Sequence, residues 1–120
     1  MTVRRNTVSF GDLRGWIDAL RKAGELHEVD AEVDTDFEIG TIMRLAQGPG
    51  TGPAMLFNNL KGYNKPTSRC RRLFGSSLNN NRRIAMMLGL PPETHARELV
   101  KLGRTVLQDA IAPRIVKTGP

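Results

Sequence analysis

Gly52-Pro53-Ala54-Met55-Leu56-Phe57-Asn58-Asn59-Leu60-Lys61-Gly62-Tyr63-Asn64 decides how this chain reads. An apolar run enters a polar Asn-Asn pair and leaves through a Lys-Gly-Tyr-Asn turn. The pattern predicts a buried strand over 54–60 that ends in a tight, polar corner. None of its side chains can carry out chemistry alone. The amides Asn58 and Asn59 are expected to satisfy backbone groups at the corner, where the chain has left its ladder.

Working outward, the segments on either side alternate between helical and strand periods. Towards the N-terminus, Ser9-Phe10-Gly11-Asp12 predicts a helix start, with Ser9 as cap. Leu13, Trp16, Ile17 and Leu20 then fall on one helical stripe, and Gly24 closes the helix. The period switches to two from His27 to Val33. His27, Val29, Ala31 and Val33 share one face of the predicted strand, and Glu28, Asp30 and Glu32 the other. Asp34 or Thr35 caps the next helix, and Thr35 with Glu38 makes a capping box. Its stripe is Ile39, Ile42, Met43 and Ala46, and the 47–53 segment is loop.

Beyond the corner, 64–69 reads as a polar loop and Leu73-Phe74-Gly75 as a short strand. Asn79 or Asn80 caps a helix bearing Ile84, Met87 and Leu88, which Gly89 stops. A last helix spans 93–110. Its apolar face is Ala96, Leu99, Val100, Gly103, Val106 and Leu107. Gly103 within that face predicts close packing, at a cost of about 1 kcal/mol in helix propensity. Ile115 and Val116 read as the start of another strand.

Composition sets the outer limits. The chain has 120 residues, enough for one domain. A domain of this size buries roughly two-thirds of its unfolded surface. With 39% hydrophobic but only 5% aromatic residues, the core must be aliphatic and methionine-rich. No apolar run approaches the roughly 20 residues of a membrane helix, and no apolar stretch follows the basic start to make a secretory signal. A single cysteine, Cys70, excludes an internal disulfide and argues for a reducing, cytoplasmic setting. The net charge is +6, with arginines concentrated at 69, 71, 72, 82 and 83. No aromatic residues are interleaved with them, which argues against nucleic acid.

Each candidate constellation has a plainer explanation. Gly48-Pro49-Gly50-Thr51-Gly52 is rich in glycine but follows a helix, precedes a strand and lacks the lysine of a phosphate loop. His27 and His95 lie on different elements, whereas a metal needs three or four converging ligands. Glu28, Asp30 and Glu32 can attract a cation, though acidic residues on a solvated strand face are ordinary. Cys70 has basic neighbours but no base to activate it. Asn79-Asn80-Asn81-Arg82-Arg83 suits an anion at a helix N-terminus. Capping with surface charge is the favoured reading of that cluster. From the residues alone, the expectation is an α+β domain without a complete active site.

Several stretches, in order and across nearly the whole chain, resemble the N-terminal domain of the UbiD family of decarboxylases. They are Asp12-Leu13-Arg14 through Leu20, Gly24-Glu25-Leu26, Val29-Asp30, Glu32-Val33-Asp34 and Glu38-Ile39-Gly40. The series continues with Pro53 to Tyr63, Leu73-Phe74-Gly75-Ser76, Arg83-Ile84-Ala85, Leu88-Gly89-Leu90-Pro91-Pro92, Pro113 and Val116-Lys117-Thr118-Gly119-Pro120. The Phe-Asn-Asn-Leu-Lys-Gly and Leu-Gly-Leu-Pro-Pro stretches look most like the aromatic and cinnamic acid decarboxylases of the family.

The resemblance implies a small mixed sheet packed by about four helices. It implies an N-terminal domain over 1–112, with 113–120 leading to a flavin-binding split-barrel domain. For the complete enzyme it implies reversible, non-oxidative decarboxylation of an aromatic or α,β-unsaturated acid. The implied cofactors are prenylated FMN, Mn2+ and K+, and the cofactor does the hard chemistry. The implied partners are the remaining flavin-binding and C-terminal domains, within a homo-oligomer and with neither nucleic acid nor membrane. No catalytic, cofactor-binding or metal-binding position of the family falls on a residue of this sequence. The expectation is therefore a structural platform, inactive alone. The rival readings are a stand-alone interaction or regulatory module and one subunit of a split decarboxylase.

Overall fold

The computed structural model describes residue 6 and residues 8–119. The elements are α1 (Leu13–Lys22), β1 (Leu26–Val29), α2 (Glu38–Gln47), β2 (Ala54–Phe57), β3 (Leu73–Gly75), α3 (Asn81–Met87) and α4 (Ala96–Gln108). The strands form one mixed sheet in the order β1-β2-β3. β1 runs parallel to β2, with Leu26 opposite Ala54 and Val29 opposite Phe57. β3 runs antiparallel to β2, with Phe74 opposite Leu56. This is the expected α+β class.

β2 is buried along its whole length because both faces of the central strand are covered. Ala54 points to the side where Trp16 and Leu20 of α1 pack, joined by Phe74, Met86 and Met87. Met55 and Phe57 point the other way, into a cluster with Val33, Ile39 and Leu60. The stripe predicted for α2 lies against that second cluster, through Ile42, Met43 and Ala46. The helices thus sandwich a three-stranded sheet, and the quoted stretch supplies its middle.

The start of α1 differs from expectation. Asp12, not Ser9, is the cap: its carboxylate accepts from the N–H groups of Arg14 (2.9 Å) and Gly15 (3.1 Å). The chain folds back tightly here. A Cβ on Gly15 would fall 1.7 Å from the Phe10 carbonyl oxygen. That fold brings the Phe10 ring edge-on to Trp16, with centroids 4.9 Å apart. Phe10 thereby staples the helix entry, and Ser9 lies outside it. The buried stripe begins at Trp16, since Leu13 is exposed.

β1 is also shorter than predicted. It stops at Val29, and Val33 rejoins the sheet only as a single parallel bridge to Leu60. His27 and Ala31 are exposed, not on a buried face. The side chains of the corner draw the intervening segment out of the ladder. Asn59 donates to the Asp30 carbonyl (3.4 Å), and Asn58 to the Asp30 carboxylate (2.8 Å). β2 correspondingly ends at Phe57 rather than Leu60. Leu60 to Tyr63 then make the predicted turn, closed by the Tyr63 N–H on the Leu60 carbonyl at 3.0 Å. Gly62 has φ 81°, the left-handed value that the third position of such a turn favours.

Two further helix boundaries differ from expectation, and a third agrees with it. No side chain caps α2 at Phe37, so the Thr35 capping box does not form. Glu38 instead accepts from the Asp34 N–H at 2.7 Å, and Asp34 accepts from the Asp36 N–H at 2.9 Å. Asn80 caps α3 as expected, through the Arg83 N–H at 2.9 Å. α4 starts at Ala96 because His95 Nδ1 accepts from the Arg97 N–H at 3.2 Å.

α4 has no buried residue. The close packing expected at Gly103 is not made among the described residues, for a Cβ there would meet nothing within 4 Å. Ile115 and Val116 form no strand. The radius of gyration, 17.7 Å, exceeds the about 14 Å of a compact chain of this length.

Candidate functional site

Three polar assemblies surround the sheet. The first is built on Arg83, whose side chain is fully buried. Its Nε donates to the Ser77 carbonyl (2.9 Å) and one terminal nitrogen to Gly52 O (2.9 Å) and the Glu25 carboxylate (3.0 Å). The other donates to Ser76 O (3.1 Å) and Asn79 Oδ1 (3.4 Å). All of the guanidinium's donors are thereby matched. The cluster that the sequence marks as suited to an anion does hold one, and that anion is Glu25, 58 residues away. Arg82 adds a second contact to Glu25 at 2.6 Å. The assembly ties the α1–β1 turn to the loop before β2 and to the start of α3. It is structural.

The second assembly is the acidic corner. Asp30 meets Asn58, Glu32 meets Asn64 (2.8 Å) and Asp34 meets Lys61 (3.2 Å). Amide and ammonium groups of the signature stretch thus face successive carboxylates of the segment after β1. The Asp34 carboxyl is held below its ordinary range, first by the Asp36 N–H and then by Lys61. Glu28 is lowered as well, chiefly by Arg21, which reaches it from α1 at 2.9 Å. Among the described residues, no three His, Cys, Asp or Glu side chains converge to hold a metal ion. His27 is exposed on β1, His95 caps α4, and Cys70 is exposed in the loop before β3.

The third assembly is a groove of about 670 Å3 at the α1 face of the sheet. Leu13, Ile17, Leu56 and Phe74 make its floor, and Arg14, Arg69, Arg71 and Arg72 its rim. Arg14 is bound to Asp12 (3.3 Å), and Arg71 turns back to the carbonyls of Pro66 and Ser68. The groove is basic, and the one carboxylate in its lining, Asp12, is taken up by the α1 cap and by Arg14.

The glycine-rich loop holds no phosphate cradle. The N–H groups of Gly50 and Gly52 both point to the Gln47 carbonyl, at 2.9 and 3.2 Å. A Cβ on Gly52 would lie 2.1 Å from the Ala46 carbonyl oxygen. The glycine there permits a tight return of the chain from α2 to β2.

Comparison with known proteins follows the same lines. Residues 17–103 match the family described as the 3-octaprenyl-4-hydroxybenzoate carboxy-lyase N-terminal domain. The pyrrole-2-carboxylic acid decarboxylase of Pseudomonas aeruginosa is 33% identical over 114 residues, 91% of this chain and 23% of that protein. The phenolic acid decarboxylase of Bacillus subtilis is 36% identical over 92 residues, 76% of this chain and 18% of that protein. The closed form of the vanillic acid decarboxylase of Sedimentibacter hydroxybenzoicus superposes with a TM-score of 0.71 at 27% identity. That match covers 93% of this chain and 22% of the other. The chain spans about a fifth of the length of these relatives. With the matched residues running from α1 into α4, the chain belongs to the UbiD family and carries its N-terminal domain.

Proposed function

We propose that this chain is the N-terminal platform of a carboxy-lyase that decarboxylates an aromatic or α,β-unsaturated carboxylic acid, reversibly and without oxidation. The observation that carries the reading is the family match over residues 17–103, joined to the internal use of the polar groups. Arg83, the acidic corner and the glycine loop all hold the fold together. The named relatives are all decarboxylases of ring-bearing acids.

Prenylated FMN with Mn2+ and K+ would supply the electron sink of that chemistry. The described residues do not fit these groups. They offer no converging metal donors, and the loop amides that would meet a phosphate face Gln47 instead. In this reading the groups are held by flavin-binding and C-terminal domains that residues 113–120 lead into, within a cytoplasmic homo-oligomer. No helix among the described residues is long and apolar enough to cross a membrane.

The test is carbon dioxide release by the full-length polypeptide, loaded with the modified flavin, Mn2+ and K+, on a panel of aryl and cinnamic acids. Release is expected for at least one acid. Failure across the panel with the cofactor bound would overturn the carboxy-lyase reading.

A further inference from the structure

α4 is an amphipathic helix with no cover on one side. Val100, Gly103 and Leu107 recur at i, i+3 and i+7, one stripe of the helix, with Val106 beside them. Val100, Val106 and Leu107 are exposed, Leu107 to 80%. Ile111 and Ile115, just beyond the helix, are exposed almost completely. Ala96 and Leu99, towards the start of the same apolar face, are half-buried, and the helix meets α3; the exposed part of the face begins at Val100. Gly103 stands in the middle of the stripe with open space before it. A glycine inside a helix weakens it, and nothing among the described residues gains from its small size. Glycine at the centre of an apolar helix face lets another backbone approach closely.

The flank of the stripe is cationic. Arg97, Lys101 and Arg104 follow at i, i+4 and i+7, and only Lys101 among them has a carboxylate partner, Glu98 at 2.9 Å. Charge complementarity therefore asks for an apolar surface rimmed by carboxylates. About four-fifths of each relative's polypeptide lies outside the match, enough to provide it.

We infer that the Val100–Gly103–Leu107 seam is where this domain docks on the rest of its enzyme, against an apolar, acid-rimmed face that comes closest at Gly103. The inference rests on the carboxy-lyase reading above. It explains why a helix with no buried residue keeps an unbroken apolar stripe, and why the chain is expanded for its length. A second copy of this chain is the competing occupant.

Gly103→Leu separates the cases, because its effect should change sign with context. In the isolated chain the new side chain meets open space and improves the helix, so the melting temperature should hold or rise. In the full-length enzyme the same side chain blocks docking. Limited proteolysis should then cut the α4 region about tenfold faster or more than in the wild type. Leu107→Glu should act likewise in the full-length enzyme, through lost apolar contact and repulsion from the acidic rim. Wild-type cleavage rates in both full-length variants would overturn the inference. So would a dimer of the isolated chain, seen by light scattering, that Gly103→Leu dissociates. A wild-type full-length enzyme that is cleaved slowly yet decarboxylates nothing would strike the carboxy-lyase reading and leave the docking result standing.

Discussion

Arg83 and Glu25 meet at 3.0 Å across 58 residues, the arginine fully buried and the glutamate largely so. Removing one partner of a buried, fully bonded pair leaves the other charge and its acceptors without a mate. Arg83→Met should destabilise the fold by about 3–5 kcal/mol, because the carbonyls of Gly52, Ser76 and Ser77 lose their donor and Glu25 keeps only Arg82. Arg83→Lys should rescue little of this, since an ammonium cannot reproduce the planar fork. Urea denaturation checks both, and a midpoint within error of the wild type would contradict the assignment.

Trp16 is 3% exposed and donates its indole N–H to Ser77 Oγ at 2.8 Å. Trp16→Ala should cost about 3–5 kcal/mol. Trp16→Phe keeps much of the packing and loses the hydrogen bond, about 1 kcal/mol. Ser77→Ala in the Phe background should then add little, which a double-mutant cycle would show.

Two glycines should respond in opposite directions to alanine. Gly52→Ala forces a Cβ to within 2.1 Å of the Ala46 carbonyl oxygen, so the turn into β2 must shift and stability must fall. Gly103→Ala meets open space and should stabilise the isolated chain by up to about 1 kcal/mol. Thermal melts of the two variants give the comparison directly.

The acid limb of stability should be set by Asp12, Glu28 and Asp34, whose carboxyls all lie below their ordinary values in the folded chain. A depressed folded value means the contribution is present above the unfolded value and is lost as pH falls through the folded one. Stability should therefore decline below about pH 4. For Asp12 the first cause is the Gly15 N–H of the α1 cap. Asp12→Asn retains a capping oxygen but cannot titrate, so it should flatten part of this decline with little change near neutrality. A steeper acid limb in Asp12→Asn would refute the cap as its source.

The elements that rest on local pattern were legible in the sequence. The buried strand at β2, the α2 stripe, the Gly62 turn and the Asn80 cap follow from period, backbone conformation and neighbouring side chains. What escaped depends on distance. Nothing near Arg83 in sequence points to Glu25, so its burial could not be read from the 79–83 cluster. The early end of β1 has the same origin, because Asn58 and Asn59 act on Asp30 from the end of β2, 28 and 29 residues along the chain. Asp12 displaces Ser9 as cap because Phe10 folds onto Trp16, a contact that capping rules alone do not contain. The α4 stripe was legible as apolar, but pattern alone could not show that no described residue covers its exposed part.

On the function proposed above, this domain supports a decarboxylase without holding its chemistry. The most direct measurement incubates the 120-residue chain with prenylated FMN, Mn2+ and K+, passes it over a desalting column, and assays aryl and cinnamic acids for carbon dioxide. The flavin is expected to separate from the protein, with no gas released above the buffer rate. Flavin retained by the chain, with carbon dioxide released from any of the acids, would contradict it.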